Sequence, residues 1–411
     1  MSTSAASPVS KRARQVQDAG STRMVFDFFN NVYARHARAN SGLADFTFGN
    51  PHEMPLPGLV AALQKWSEPQ NKDWFAYKVS EPGAQRVVAE SLRRLLGMPF
   101  EPADIAMTTG GFGAIVTALK AVADPGDEVI YSLPPWFLNE PICIEAGLTP
   151  VKVMIDLETF DLDLDAIAAA ITPRTRVVLV NTPHNPTGKV VPPETLSRLA
   201  AILEAASVRN GRRIYLLSDE AYNRIVFDGI RHHSPLEFYP YAFMAYSYGK
   251  TLLAPGQRIG YLAMPPTMPL VEREELRQAI AAIQNASGYL FPNALLQHAL
   301  GDLEALRLDV DHLRRKRDWM VDALQEMGYQ VHRPEGTFYL FPKSPIPDDR
   351  AFADMLLAEN IGVLPGALFE TPGYFRICLT ANDEMIERAL PGFRRAIERV
   401  QGLEAASLAA D

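Results

Sequence analysis

Cysteine is almost absent: Cys143 and Cys378 are the only two in 411 residues. Two thiols cannot build a disulfide framework, and neither lies near a Cys/His cluster that would hold structural zinc. There is no excess of basic charge. The 40 Lys and Arg against 48 Asp and Glu leave a net charge of −8, which offers no general attraction to nucleic acid or anionic membrane. Long hydrophobic runs are missing too. Residues 214–217 and 259–264 are among the longest and are strand-length, far short of the ~20 residues of a spanning helix. Low-complexity linkers and internal repeats are also lacking. Residues 1–20 have no apolar core of the kind a secretory signal needs, although their Arg and Ser bias is also that of an organellar transit peptide. They read as a disordered tail. The expectation is a soluble, cytoplasmic protein with reduced thiols, no metal site, and neither a nucleic-acid nor a membrane partner.

What is present is an ordinary globular composition, 47% hydrophobic and 21% charged. Strand-like apolar runs occur at residues 104–108, 128–133, 150–155, 176–181, 213–218, 242–247 and 259–264. Helix-period stretches lie between several of them, at 112–122, 137–146, 164–170 and 194–206. Continuous apolar strands alternating with amphipathic helices predict an α/β fold, a mostly parallel seven-stranded sheet covered on both faces. Residues 268–325 read as long helices, with the charged stretch 309–318 as a solvated face. From Tyr329 short strands (339–341, 374–379) and two helices predict a smaller α+β lobe, joined by an N-terminal stretch, since chain ends often meet. The expected division is a tail (1–20), an arm with part of the small domain (21–63), a large domain (64–309) and a small C-terminal domain (310–411).

In an open parallel sheet, ligands sit beyond the carboxyl ends of the strands. The first strand is followed by Thr108-Thr109-Gly110-Gly111-Phe112-Gly113 at the start of a helix. There the backbone N–H groups of Gly111 and Phe112 can meet an anion, or simply form a tight turn. Trp136 follows the second strand and can stack on a flat ring, or serve as core. The loop Asn181-Thr182-Pro183-His184-Asn185-Pro186-Thr187-Gly188 is rigid by composition, and the Asn185 amide can donate to a ring oxygen. Asp219, in Ser218-Asp219-Glu220-Ala221-Tyr222, is a carboxylate at the end of a buried strand. It needs a cation, either a pyridinium N–H or a structural ion pair. Lys250, in Ser247-Tyr248-Gly249-Lys250-Thr251, follows the next strand, where desolvation and nearby cations can suit it to imine chemistry. Arg258 enters the following strand and can pair with phosphate. In the C-terminal lobe Arg376 interrupts an apolar strand and must find a carboxylate, from the protein or from a ligand.

In this order the motifs resemble class I/II pyridoxal-phosphate-dependent aminotransferases of fold type I, the aspartate-aminotransferase-like group, from about Phe46 to Phe393. The resemblance implies pyridoxal 5′-phosphate as cofactor and transfer of an amino group between an L-amino acid and a 2-oxo acid. Lys250 would hold the cofactor as a Schiff base and move the proton between Cα and C4′. Asp219 would keep the pyridine nitrogen protonated, making the ring an electron sink. Asn185 and Tyr222 would hydrogen-bond the 3′-oxygen, and Trp136 would stack on the ring. Gly111, Phe112, Ser247 and Arg258 would bind the phosphate, with Tyr77 reaching the neighbouring subunit's phosphate across a homodimer. Tyr77 as part of its own subunit's core is the alternative. Arg376 would clamp the substrate α-carboxylate, assisted by Gly49 and Asn185.

Three positions depart from the commoner pattern: Gly249 where a small polar residue usually stands, Phe112 in place of Ser, Thr or Lys, and His184 in the Asn185 loop. The same scaffold also serves β-lyases, decarboxylases and amino-acid oxidases, the alternative activities. Phe46, Phe48, Trp74, Phe75 and Phe338 are candidates either for an apolar side-chain pocket or for core.

Overall fold

The computed structural model describes residues 8–34, 42–288 and 291–408. Its large sheet contains β2 (Ile105–Thr108), β3 (Glu128–Leu133), β4 (Thr149–Met154), β5 (Thr175–Asn181), β6 (Tyr215–Asp219), β7 (Ala242–Ser247) and β8 (Gly260–Ala263). These are ordered β2-β8-β7-β6-β5-β3-β4, parallel throughout except at β8, which runs antiparallel to both neighbours. The strands are apolar on both sides because both sides are covered. Ile130, Val178, Leu216 and Met244 face one core, with helix Pro82–Leu96 and helix Pro193–Asn210. Val129, Val177, Leu217 and Phe243 face the other, with helix Gly110–Val122 and helix Leu270–Ser287.

A separate core belongs to the C-terminal lobe. It gathers Leu313, Met320 and Leu324 from helix Val310–Glu326 with Phe352, Phe375, Ile377 and Phe393. Three short strands, β9 (Tyr339–Leu340), β11 (Leu364–Pro365) and β12 (Phe375–Cys378), form an antiparallel sheet there. The N-terminal chain joins this lobe through β1 (Ala44–Asp45), parallel to β10 (Ile361–Gly362).

Several expectations need correction. Of the stretch read as a disordered tail, residues 1–7 lie outside the described residues, and Lys11–Asp18 is a helix. The Ser10 hydroxyl caps it, accepting from the Ala13 N–H at 3.1 Å, which satisfies one of the free donors of a helix start. The N-terminal stretch does not all belong with the small lobe. Helix Pro57–Trp66 buries Leu59 and Ala62 in the large body's core. Nor is the charged stretch 309–318 simply solvated. Lys316 is buried against Glu53 at 2.8 Å, and Arg317 is buried against Asp228 at 2.6 Å. Buried cations require such partners, and these lie far away in sequence.

Candidate active site

The carboxyl ends of β5, β6 and β7 open into a cavity of about 260 Å3 that the small lobe closes from the other side. Gly49, Gly111, Phe112, Trp136, Asn185, Asp219, Tyr222, Ser247, Lys250, Arg258 and Arg376 all line it. Of the expected site residues, only Tyr77 stands apart: it is fully exposed on the outside of the chain, which excludes a core position in its own subunit.

Asp219 ends β6 at the cavity floor. Desolvation pushes its carboxyl up to about 6, offset in part by the Ala221 N–H that it accepts at 3.3 Å and by the charge of Lys250. Lys250 lies in a helix of four residues, Tyr248–Thr251, directly after β7. Among the described residues nothing hydrogen-bonds its Nζ, which stands 5.6 Å from the centre of the Tyr222 ring and 5.7 Å from that of Phe338. Gly249 has a steric reason: a Cβ there would fall 2.9 Å from Pro255 Cα, so a side chain would push the Lys250 turn off the loop beneath it. Gly49 is constrained in the same way, since a Cβ would meet Tyr339 Oη at 2.7 Å and Lys250 Nζ at 3.4 Å.

Among the described residues Arg258 donates only to two backbone carbonyls, those of Pro255 at 2.7 Å and Thr109 at 3.2 Å. Burial without an anion pulls its guanidinium below the ordinary range. Arg376 is more deeply placed, between the rings of Tyr339 and Phe369 at 4.3 and 4.9 Å. Its Nη1 donates to Asn185 Oδ1 at 3.0 Å and its Nη2 to the Thr47 carbonyl at 2.7 Å, while its buried Nε has no partner among the described residues. A buried guanidinium with no carboxylate beside it is costly unless a ligand brings one.

The Asn185 loop is held from two sides. Asn185 N–H donates to Asn181 Oδ1 at 2.6 Å, and the bond from Arg376 fixes the amide so that its NH2 remains free to donate. His184 is buried, and desolvation pushes it down to about 4, leaving it neutral. It bridges the Thr187 hydroxyl at 2.8 Å and the Pro134 carbonyl at 3.1 Å. That bond ties the Asn185 loop to the loop that carries Trp136, which gives His184 a positioning role that its residue type alone does not suggest.

Sequence reasoning does not single out Tyr339. Its hydroxyl is 3.1 Å from that of Tyr222, and its ring carries the Arg376 guanidinium. In sequence it comes after Phe338 and reads as one more core aromatic. Of the pocket aromatics, Phe48 lines the cavity, whereas Phe46 and Phe338 are core. Trp74 is buried against His298 at 3.6 Å, and Phe75 is exposed.

These residues fit a phosphorylated pyridine aldehyde on three counts. Asp219 is a desolvated carboxylate suited to an N–H cation, and among the described residues Lys250 is an amine without a hydrogen-bond partner and Arg258 a cation without an anion. Among the described residues no group of three His, Cys, Asp or Glu is placed to hold a metal ion.

Comparison with known proteins agrees with this geometry. The family model described as "Aminotransferase class I and II" matches residues 44–393. An aspartate/prephenate aminotransferase of Thermus thermophilus is 32% identical over 374 residues, covering 88% of this chain and 93% of that one. Its counterpart in Cereibacter sphaeroides is 33% identical over 364 residues, covering 83% and 88%. Among solved structures, an amino transferase from Eubacterium rectale superposes with a TM-score of 0.88 at 28% identity, over 96% of this chain and all of the other.

Proposed function

The chain belongs to the class I and II aminotransferase family, and on that footing we propose how its own residues divide the work. It is a pyridoxal-phosphate-dependent transaminase that exchanges an amino group between an amino acid and a 2-oxo acid. When bound, the cofactor supplies the electron sink for the pair released at the substrate Cα. Lys250 would hold the cofactor covalently at rest, and its amine, once free, would take up and return the proton at the substrate Cα. Asp219, ionised, would pair with the ring nitrogen in its protonated form. Asn185 and Tyr222 would hydrogen-bond the 3′-oxygen, and Trp136 would pack against the ring. The N–H groups of Gly111 and Phe112, with Ser247 and Arg258, would hold the phosphate. Arg376 would take the substrate α-carboxylate and so orient the bonds at Cα, with Gly49 and Asn185 beside it.

The observation that carries this reading is one cavity holding Asp219, Lys250, Arg258 and Arg376, none of which has an ion-pair partner among the described residues. Such an arrangement suits a ligand that brings a cation, two anionic groups and a carbonyl. A homodimer with shared sites belongs to the reading, supported by the exposed Tyr77 and Phe75. A cytoplasmic location is also proposed, in keeping with the two free, buried thiols.

Borohydride treatment of the holoenzyme, followed by peptide mapping, tests the assignment. The cofactor mass should appear on the peptide containing Lys250. Its attachment to any other lysine would overturn the reading.

A further inference from the structure

We propose that the amino-acid substrate has a bulky apolar side chain, and that Phe112 is the residue that selects it. This rests on the roles given to Lys250, Arg258 and Arg376, because those three are the cations that line the cavity. With all three committed to cofactor and α-carboxylate, no cation lining the cavity among the described residues is left to meet a carboxylate on the substrate side chain. The loop that carries Tyr77 adds none. Its Lys72 and Lys78 are paired with Asp73 at 2.9 Å and Glu81 at 2.8 Å.

The walls left to the side chain are aromatic. Phe48 stacks on Phe29 at 4.1 Å, and Phe112 stands edge-on to Trp136 at 5.4 Å. Behind Phe112 lies a second cavity of about 340 Å3, walled by Val116, Leu138, Pro141 and Ile142. Phe112 is the residue that lines both cavities. It is 41% exposed and therefore not part of a core, so a turn of its ring is what would join the two spaces. The one charged residue on the second cavity, Glu145, pairs with Lys120 at 3.1 Å. An apolar side chain gains by leaving water for such walls, whereas a carboxylate would lose its hydration without a partner.

The test compares L-phenylalanine and L-leucine with L-aspartate and L-glutamate on the holoenzyme by rapid mixing, tracking the cofactor absorbance. The apolar pair should exceed the acidic pair in kcat/KM by at least about tenfold, the scale of a single mismatched pocket contact. Phe112→Lys should move that ratio toward the acidic pair by a similar factor. A second readout needs no turnover: 3-phenylpropanoate should bind the wild-type holoenzyme more tightly than succinate, measured by the shift in cofactor absorbance. Equal or better use of aspartate or glutamate, or tighter binding of succinate, would overturn the inference. If no amino acid of either class converts the cofactor, the transaminase reading itself has failed, and the two carboxylates still decide the character of the pocket.

Discussion

Arg376 Nη1 donates to Asn185 Oδ1 across 3.0 Å, and that one bond joins the small lobe's β12 to the loop after β5 of the large sheet. The proposed carboxylate anchor and the proposed ring-oxygen donor are thus parts of one arrangement. Disturbing either reaches the other.

Arg376→Lys should therefore affect binding and chemistry together. An ammonium cannot present a planar fork while also bonding Asn185 and the Thr47 carbonyl. We expect KM to rise by about 10- to 100-fold for every amino acid, with kcat falling as well. Steady-state kinetics on several amino acids check this. Loss confined to acidic substrates would instead make Arg376 a side-chain reader.

Asp219→Asn should stabilise the cofactor-free protein in a pH-dependent way. The folded-state pKa of Asp219 is raised to about 6, so the proton is held more tightly folded than unfolded. Its contribution to stability is fully present below the unfolded carboxylate range and is lost as pH rises toward 6. The melting temperature of the apo variant should match wild type near pH 4 and exceed it by pH 7. Holoenzyme should show the reverse order, because the variant gives up the carboxylate proposed to pair with the ring nitrogen. Thermal melts of both forms across that range decide it.

Glu304→Ala should be strongly destabilising. Its carboxylate is buried and accepts from Ser91 at 2.5 Å and Tyr248 at 2.7 Å, and it pairs with Arg224 at 2.9 Å. Removing one member of a buried pair leaves the other uncompensated, at a cost of about 3–5 kcal/mol. Urea unfolding measures the loss. Borohydride trapping should weaken too, since Tyr248 begins the helical turn that bears Lys250.

Tyr77→Phe should loosen the cofactor while leaving each chain folded, because the Tyr77 side chain is fully exposed and its hydroxyl has no hydrogen-bond partner among the described residues. Equilibrium dialysis of the cofactor reads the effect. Sedimentation equilibrium of the wild type should give twice the 45.5 kDa chain mass. A fully active monomer would rule out the shared site.

The large sheet is legible because strands buried on both faces are written as unbroken apolar runs, and the residues just beyond each run fall at the strands' carboxyl ends, where a ligand sits. Asp219 and Lys250 come out that way, whereas Arg258 precedes β8, whose antiparallel course puts its amino end at the same edge of the sheet. The hidden part depends on contacts distant in sequence. Tyr339 meets Tyr222 across 117 residues, and no local pattern distinguishes it from Phe338. Arg317 reads as solvated because Asp228, its partner, is 89 residues away. Helix Lys11–Asp18 is obscured by a composition so polar that the Ser10 cap is its main local signal. Trp74 resembles a pocket aromatic because its stacking partner His298 is 224 residues along the chain.

The sheet registers give the site a grid. Asn181, Asp219 and Ala245 sit side by side across β5, β6 and β7, while Ser247, Gly260 and Thr108 form a second row across β7, β8 and β2. Distances along such a grid come in fixed steps, about 4.8 Å between strands and 3.3 Å along them. Lengthening a connecting helix leaves every step unchanged, whereas deleting one residue inside β6 would turn Asp219 to the opposite face. The chemistry is thus written in whole units that small structural drift cannot blur. Phe48 and Phe112 lie off the grid, where a substitution can redraw substrate choice without altering that spacing.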